Sequence, residues 1–218
     1  MYLTRMLLDP AKRDTLRALN SPNLIHGAVE LAFQGVRDRT LWRIDHLAGR
    51  YWLLIVSSSR PDLASAAQQF GMDGTWETLD YNPFLNRIKE GSVWHFRLVA
   101  NPTKSCPVRE GQGIGQRGLV RAHSSVRYQK AWLLDRAEKH GFALNEDNFN
   151  VVQTKWNIFN KGGANKNRIS LLGVTYEGVL TVIDTGVFLQ SLTQGIGRGK
   201  AYGLGMLTVA RPMGEIDG

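Results

Sequence analysis

The sequence predicts an α+β protein of two tandem ferredoxin-like domains, and three observations carry that prediction. Over residues 1–82, short apolar runs and helix-like stretches follow one another in the order β-α-β-β-α-β. The same order recurs over residues 91–218, with 82–90 as the link. In the first half, a short turn at Leu47 to Gly49 joins two of the runs as hairpin partners. Internal identity between the halves is low, so the prediction rests on element order.

Taken in order, Tyr2 to Leu8 reads as a short apolar strand. Ser21-Pro22 starts a helix, because Ser can cap and Pro is tolerated at the first helical position. Leu24, Ala28 and Leu31 then share one face at the spacing of a buried stripe. Arg39 to His46 and Arg50 to Ser58 are the hairpin strands. Arg60-Pro61 opens a second helix through Phe70, stopped by Gly71, and Gly74 to Tyr81 forms the last strand of the unit.

In the second half, Gly91 to Ala100 is a strand and Val126 to Lys139 a helix with Val126, Leu133, Leu134 and Ala137 on one face. Phe149 to Phe159 alternates, with Val152, Thr154, Trp156 and Ile158 facing one way and Gln153, Lys155 and Asn157 the other. Residues 161–165 turn the chain into a long, bulged strand, Ile169 to Asp184. A short helix, Val187 to Thr193, and a closing strand, Met206 to Ala210, complete the unit. Residues 101–125 make a loop long for a compact domain. Inside it, Gly113, Gly115 and Gly118 match the dinucleotide fingerprint formally, but no strand leads into the match, so it carries no Rossmann site.

At 43% hydrophobic and 21% charged, the 218 residues have the composition of an ordinary globular protein. No apolar run has membrane-spanning length, and the opening residues, broken by Arg5, do not read as a signal peptide, so a cytoplasmic protein is expected. The single cysteine, Cys106, excludes an internal disulfide and any multi-cysteine zinc site. The net charge of +8 is one-sided: residues 1–82 hold nine basic and nine acidic side chains, and the whole excess falls in 83–218. Between Asp147 and Glu177 there is no acid, while Lys155, Lys161, Lys166 and Arg168 fall inside. Such an excess favours a polyanion as partner.

The stretch Gln194 to Leu207 holds Gly195, Gly197, Gly199, Gly203 and Gly205, interleaved with Arg198, Lys200 and Tyr202. Cations beside bare backbone N–H groups suit phosphate. The stretch is no P-loop, because Gln194 and Ala201 stand where the motif needs Gly and Ser or Thr, and it ends in a strand. A helix, a basic glycine loop and a terminal strand fit a long phosphate backbone; an ordinary tight connection with solvated charges is the alternative.

Of the five histidines, His46 and His95 sit in strand patterns, His123 in the long loop and His140 at a helix C-terminus. His26 differs. On a helical wheel it points away from the Leu24, Ala28 and Leu31 stripe and toward Glu30, one turn on. The positive end of the helix dipole disfavours its imidazolium and Glu30 favours it, a balance suited to proton transfer. No paired-acid or His/Cys/Asp spacing marks a metal site, and no serine motif supplies a nucleophile. RNA needs neither, since a 2′-OH in line with its own phosphate can attack it while the protein orients the strand, moves a proton and neutralises charge.

The residues resemble the CRISPR repeat-processing endoribonuclease of type I-E systems, the CasE family. The likeness lies in the opening Met1-Tyr-Leu-Thr-Arg-Met-Leu-Leu, the helix with His26, Tyr81-Asn-Pro-Phe-Leu followed by Trp94-His-Phe-Arg-Leu-Val-Ala-Asn-Pro-Thr, Ala131-Trp-Leu-Leu with Gly141-Phe, and the glycine loop. The resemblance implies two ferredoxin-like (RRM/RAMP-like) domains. It also implies metal-independent, cofactor-free cutting of precursor CRISPR RNA at the base of the repeat hairpin, with 5′-OH and 2′,3′-cyclic phosphate ends. Retention of the product and partnership with the other Cascade subunits follow from it as well. Carried over by position, the catalytic histidine is His26. The RNA-contacting loop maps to Gly197, Arg198, Gly199, Lys200, Tyr202 and Gly203, and the stem-holding hairpin to Lys155, Lys161, Lys166 and Arg168. Members with a tyrosine three residues before the histidine do not match, because Asn23 stands there, and more of the charge stabilisation then falls to a Lys or Arg near the loop. A non-catalytic RNA-binding subunit on the same fold, or a small-molecule enzyme, would share much of this pattern.

Overall fold

The structure, a computed structural model, describes residues 1–33, 40–106, 119–161 and 167–212. The first half forms a four-stranded antiparallel sheet from β1 (Tyr2–Leu8), β2 (Leu41–Leu47), β3 (Arg50–Ser57) and β4 (Gly71–Asp80), ordered β2-β3-β1-β4. The β2–β3 turn is two residues, Ala48 and Gly49, both at positive φ (49° and 74°), which matches the right-handed twist of the strands it joins. Three helices, α1 (Arg13–Asn20), α2 (Pro22–Leu31) and α3 (Ala64–Phe70), pack against the core of this half.

Two predictions for this half need correction. Helix α1 is additional to the predicted order; its sequence, Arg-Asp-Thr-Leu-Arg-Ala-Leu-Asn, offers too short an apolar stripe to announce itself. On α2 the buried residues are Ile25 and Val29, continued by Ala32, while Leu31 is 77% exposed. Both stripes have the same i, i+4, i+7 spacing and differ by one residue, which rotates the helix by about 100°. The β-branched pair faces the core.

The second half forms a five-stranded sheet from β5 (Val93–Ala100), β8 (Phe142–Ala143), β9 (Phe149–Lys161), β10 (Asn167–Val182) and β11 (Leu207–Ala210). The order is β11-β5-β10-β8, with β9 also paired to β10. β8 meets only Thr181 and Val182, so β9 holds the rest of that edge, and β11, β5, β10 and β9 repeat the ferredoxin-like order. The helices are α5 (Val126–Ala137) and α6 (Thr185–Gln194). The link carries a short helix, α4 (Asn82–Leu85), and buries Tyr81, Leu85 and Ile88 in the second core. It is built into that core rather than spaced from it. Residues 101–125, expected as plain loop, contain a two-stranded ribbon, β6 (Thr103–Ser105) with β7 (Val120–Ala122). The fingerprint at 113–118 lies outside the described residues.

Two predicted faces are also reassigned. Val126 is 53% exposed at the start of α5; Gln129, Trp132, Leu133 and Ala137 face inward. Gln129 is tolerated there because its amide donates to the His123 carbonyl and accepts from Thr154, and its backbone carbonyl accepts from the Tyr176 hydroxyl. On β9 the alternation is real, but Val152, Trp156 and Ile158 are about half exposed, and the buried residues are Phe149 and Phe159. Val152 is itself the extra residue of a β-bulge, facing the step between Thr175 and Tyr176 of β10, and the register shifts there.

The sheets are joined by a buried ion network. Arg43 on β2 makes two bonds to the Asp45 carboxylate (2.8 and 2.7 Å), one to the Met206 carbonyl (2.8 Å) and one to the Thr208 hydroxyl (2.8 Å). Arg97 on β5 approaches Asp45 at 3.2 Å and pairs with Glu177 on β10. Burial pushes the nearby Tyr81 hydroxyl up to about 12, with the Arg43 charge opposing. We propose domain limits of 1–82 and 91–218 on the ground that each sheet takes its strands from one side of that interval.

Candidate functional site

Residues 195–205 connect α6 to β11, and their path is set by five glycines, all with φ between 73° and 89°. Ile196, Leu204 and Met206 anchor the loop in the core. Its ends are held by Ile196 N–H donating to the Gly205 carbonyl (2.8 Å) and Gly205 N–H donating to the Val99 carbonyl (2.6 Å). Between them, Lys200–Tyr202 forms one tight helical turn bracketed by left-handed Gly199 and Gly203. Gly203 is packed against Trp42 of β2; a Cβ there would lie 2.7 Å from the indole. Gly197 packs in the same way on Trp132 of α5, at 3.2 Å. One indole from each half therefore supports the loop.

Helix α2 lies against this turn. The His26 and Tyr202 rings meet edge-on, centroids 6.0 Å apart, and Tyr202 rests on Phe159 of β9 at 4.9 Å. His26 Nε2 is 3.4 Å from Glu30 Oε1, as the i, i+4 spacing predicts, and the imidazole side chain is 31% exposed. An accessible imidazole on one half thus stands beside a backbone-rich cationic loop on the other.

The remaining predicted residues do not form one cluster. Lys155 is exposed on β9, turned toward the first half, with its ammonium 3.4 Å from the Leu19 carbonyl at the end of α1. It lines a cleft of about 720 Å³ between the two sheets, together with Trp42, Arg97, Tyr202 and Gly203. Arg168 is exposed near the start of β10. The Lys161 side chain and all of Lys166 lie outside the described residues. Arg198 is exposed and forms an isolated strand bridge with Asn101, so it points the loop's other end toward α5 and the ribbon. Asn23 sits in the first turn of α2 with its side-chain oxygen buried and without a partner among the described residues. His46 stacks on Tyr51 in the wall of that same cleft, and His140 is bonded through Nδ1 to Ser191 (2.8 Å), away from it. Among the described residues, no group of three His, Cys, Asp or Glu side chains is placed to hold a metal ion.

Sequence reasoning missed the two supporting indoles and the Arg43–Asp45 pair. The pair had a signal: two opposite charges at i, i+2 in an otherwise apolar strand share a face, and a buried face makes them partners.

The sequence profile of the CRISPR associated protein family matches residues 1–211. The chain belongs to that family. Another CRISPR-associated protein, the endoribonuclease Cse3 of Thermus thermophilus, is 31% identical over 228 residues, covering 96% of this chain and 100% of the relative. The likeness read from the sequence holds at this level. Among solved structures, Cse3 bound to a 19 nt RNA superposes with a TM-score of 0.80 at 28% identity, over 96% of this chain and 100% of that one. Thermus thermophilus Cse3 bound to an RNA representing a pre-cleavage complex gives 0.75 at 27% identity, over 96% and 98%. The fold of this CRISPR-associated chain is that of its relatives along essentially its whole described length.

Proposed function

We propose that this CRISPR-associated protein is an endoribonuclease that cuts precursor CRISPR RNA at the base of the repeat hairpin. The observation that carries the reading is the contact of His26 with Tyr202 of the glycine loop, which sets a proton-transfer group beside a phosphate-binding surface. The RNA stem is held by its backbone, as A-form helices are, on the basic surface of the second half. Lys155, Lys161, Lys166 and Arg168 supply that charge, with the loop residues Gly197 to Gly203 against the strand to be cut. The scissile ribose 2′-OH attacks its own phosphorus. The bond from phosphorus to the 5′ oxygen of the next nucleotide breaks, and that oxygen takes a proton. The ends are a 2′,3′-cyclic phosphate and a 5′-OH, and no water is consumed. His26 moves a proton at the attacking or leaving oxygen, and Lys200 or Arg198 neutralises charge on the phosphate oxygens. In this chemistry the nucleophile belongs to the RNA, so the reaction requires neither metal nor cofactor.

That the relatives include an endoribonuclease, and structures of it with RNA, supports the reading. On the same footing we place the protein in the cytoplasm, retaining its product within a Cascade assembly. No helix among the described residues is long and apolar enough to cross a membrane.

The test is incubation with the repeat RNA in EDTA, followed by end-group analysis. A single cut leaving a cyclic phosphate is expected, with none when the scissile 2′-OH is replaced by hydrogen. Cutting of that deoxy RNA would overturn the mechanism, and RNA bound but left full length would make the protein a non-catalytic RNA-binding subunit. Binding should also weaken steeply with salt, as phosphate contacts do; weak, salt-insensitive affinity would point to a small-molecule enzyme.

A further inference from the structure

The glycine loop has a second end, turned away from His26 toward α5 and the β6–β7 ribbon. There, α5, the β6–β7 ribbon and Arg198 enclose a cavity of about 380 Å³. Its walls combine two kinds of group. Lys104, Arg136 and Arg198 bring three fixed positive charges, against one carboxylate, Asp135. His123 and Tyr128 bring a pair of stacked rings, centroids 5.8 Å apart and planes 30° from parallel, with Tyr128 59% exposed. Trp132 forms part of the wall. It is 4% exposed, its ring carries the Arg136 guanidinium at 4.5 Å, and its indole N–H has no acceptor among the described residues. Burial, then the Lys104 and Arg136 charges, hold His123 below the usual histidine range, with Asp135 opposing. The shift favours the neutral form of the ring.

A flat aromatic platform beside converging cations is the chemistry that receives a nucleotide: the base stacks and the phosphate meets the charges. A paired stem buries its base faces, so only an unpaired base can use the platform. The cavity is also close to the cut. Arg198 is four residues from Tyr202, so the two are at most about 14 Å apart along the chain, and Tyr202 touches His26.

We propose that this cavity is a subsite for one unpaired nucleotide of the RNA, near the cut, with its base on Tyr128 and His123 and its phosphate among Lys104, Arg136 and Arg198. The proposal rests on the RNA-processing reading above and deepens it by naming a single-stranded element of the substrate.

The test uses the full chain and two repeat RNAs, one with its unpaired flanks and one trimmed to the stem-loop. Because a stacked base typically contributes about a 5- to 150-fold gain, Tyr128→Ala is expected to weaken binding of the flanked RNA by roughly that factor. It should leave the trimmed RNA unchanged, and Tyr128→Phe should bind both as wild type does. Single abasic substitutions along the flanks should find one position that reproduces the loss in wild type and adds nothing to Tyr128→Ala. Equal losses on both RNAs, no loss on the flanked one, or abasic effects that are additive throughout would overturn the subsite. Wild-type protein that binds neither RNA would overturn the RNA reading itself, and the subsite with it.

Discussion

The ring of His26 meets the ring of Tyr202 edge to face, with planes at 64°. The two residues come from opposite halves of the chain, 176 positions apart, and Tyr202 is in turn seated on Phe159. The placement of the imidazole is therefore a property of how the halves dock, as well as of helix α2.

Removing the imidazole should separate chemistry from grip. His26→Ala is expected to lower single-turnover cleavage by at least about 10²- to 10⁴-fold, the usual share of a general acid or base, while RNA affinity stays within a few-fold. Tyr202→Phe should cleave nearly normally, because the contact is made by the ring, and Tyr202→Ala should cleave more slowly. If His26→Ala lost affinity as steeply as rate, the histidine would be a binding residue only.

Two glycine substitutions should move stability in opposite directions. Gly203 holds φ at +77° with Trp42 where its Cβ would go, so Gly203→Ala should destabilise by about 2 kcal/mol or more, from backbone strain and displacement of the indole. Gly27, within α2, has open space where a Cβ would stand, with nothing within 4 Å, and Gly27→Ala should stabilise by about 0.5–1 kcal/mol through helix propensity. Urea midpoints of the two variants against wild type decide the matter; a shift of the same sign in both would contradict it.

Arg43→Met should be among the most damaging single changes away from the site. It strands the buried Asp45 carboxylate and removes the donors to the Met206 carbonyl and Thr208 hydroxyl. Breaking a buried pair typically costs about 3–5 kcal/mol. Arg97, 3.2 Å from Asp45, retains part of the pairing, which puts the expected loss near the lower end. The double variant Arg43→Met with Asp45→Asn should be less destabilised than the single one. Equal unfolding midpoints for the single and double variants would show that the stranded charge is not the cause.

Much of this architecture was legible because it is local. Although the bulge expected in β10 lies on its partner, at Val152 of β9, the β2–β3 turn, the start of α2 at Pro22 and the glycine loop are each set by residues within a few positions of one another. The choice between the Leu24 and Ile25 stripes was not, since identical spacing leaves the face to be decided by what packs against it. The exposed face of β9 escaped for a related reason: alternation identifies a strand but not which side is covered. Of the candidate site, His26 and the loop are each singled out by the sequence separately. Their contact through Tyr202, the supporting indoles and the Arg43 bond to a carbonyl 163 residues away depend on docking of the halves.

The last prediction concerns acid stability. His140 is bonded through Nδ1 to Ser191, whose hydroxyl also lies 3.1 Å from the His140 and Val187 carbonyls. Burial first, then the Lys200 and Arg136 charges, hold its imidazole below the ordinary value of 6.5. Above that value neither the folded nor the unfolded chain protonates the ring, and its contribution to stability is complete. As pH falls through it, the unfolded chain binds a proton that the folded chain refuses, so stability declines until pH drops below the folded value. His140→Gln removes this linkage, whereas His123, also lowered, acts equally in both proteins. Between about pH 7.5 and 5, the urea midpoint of wild type should therefore fall more than that of His140→Gln, narrowing the gap between them. Parallel curves would show that this ring does not set the acid limb.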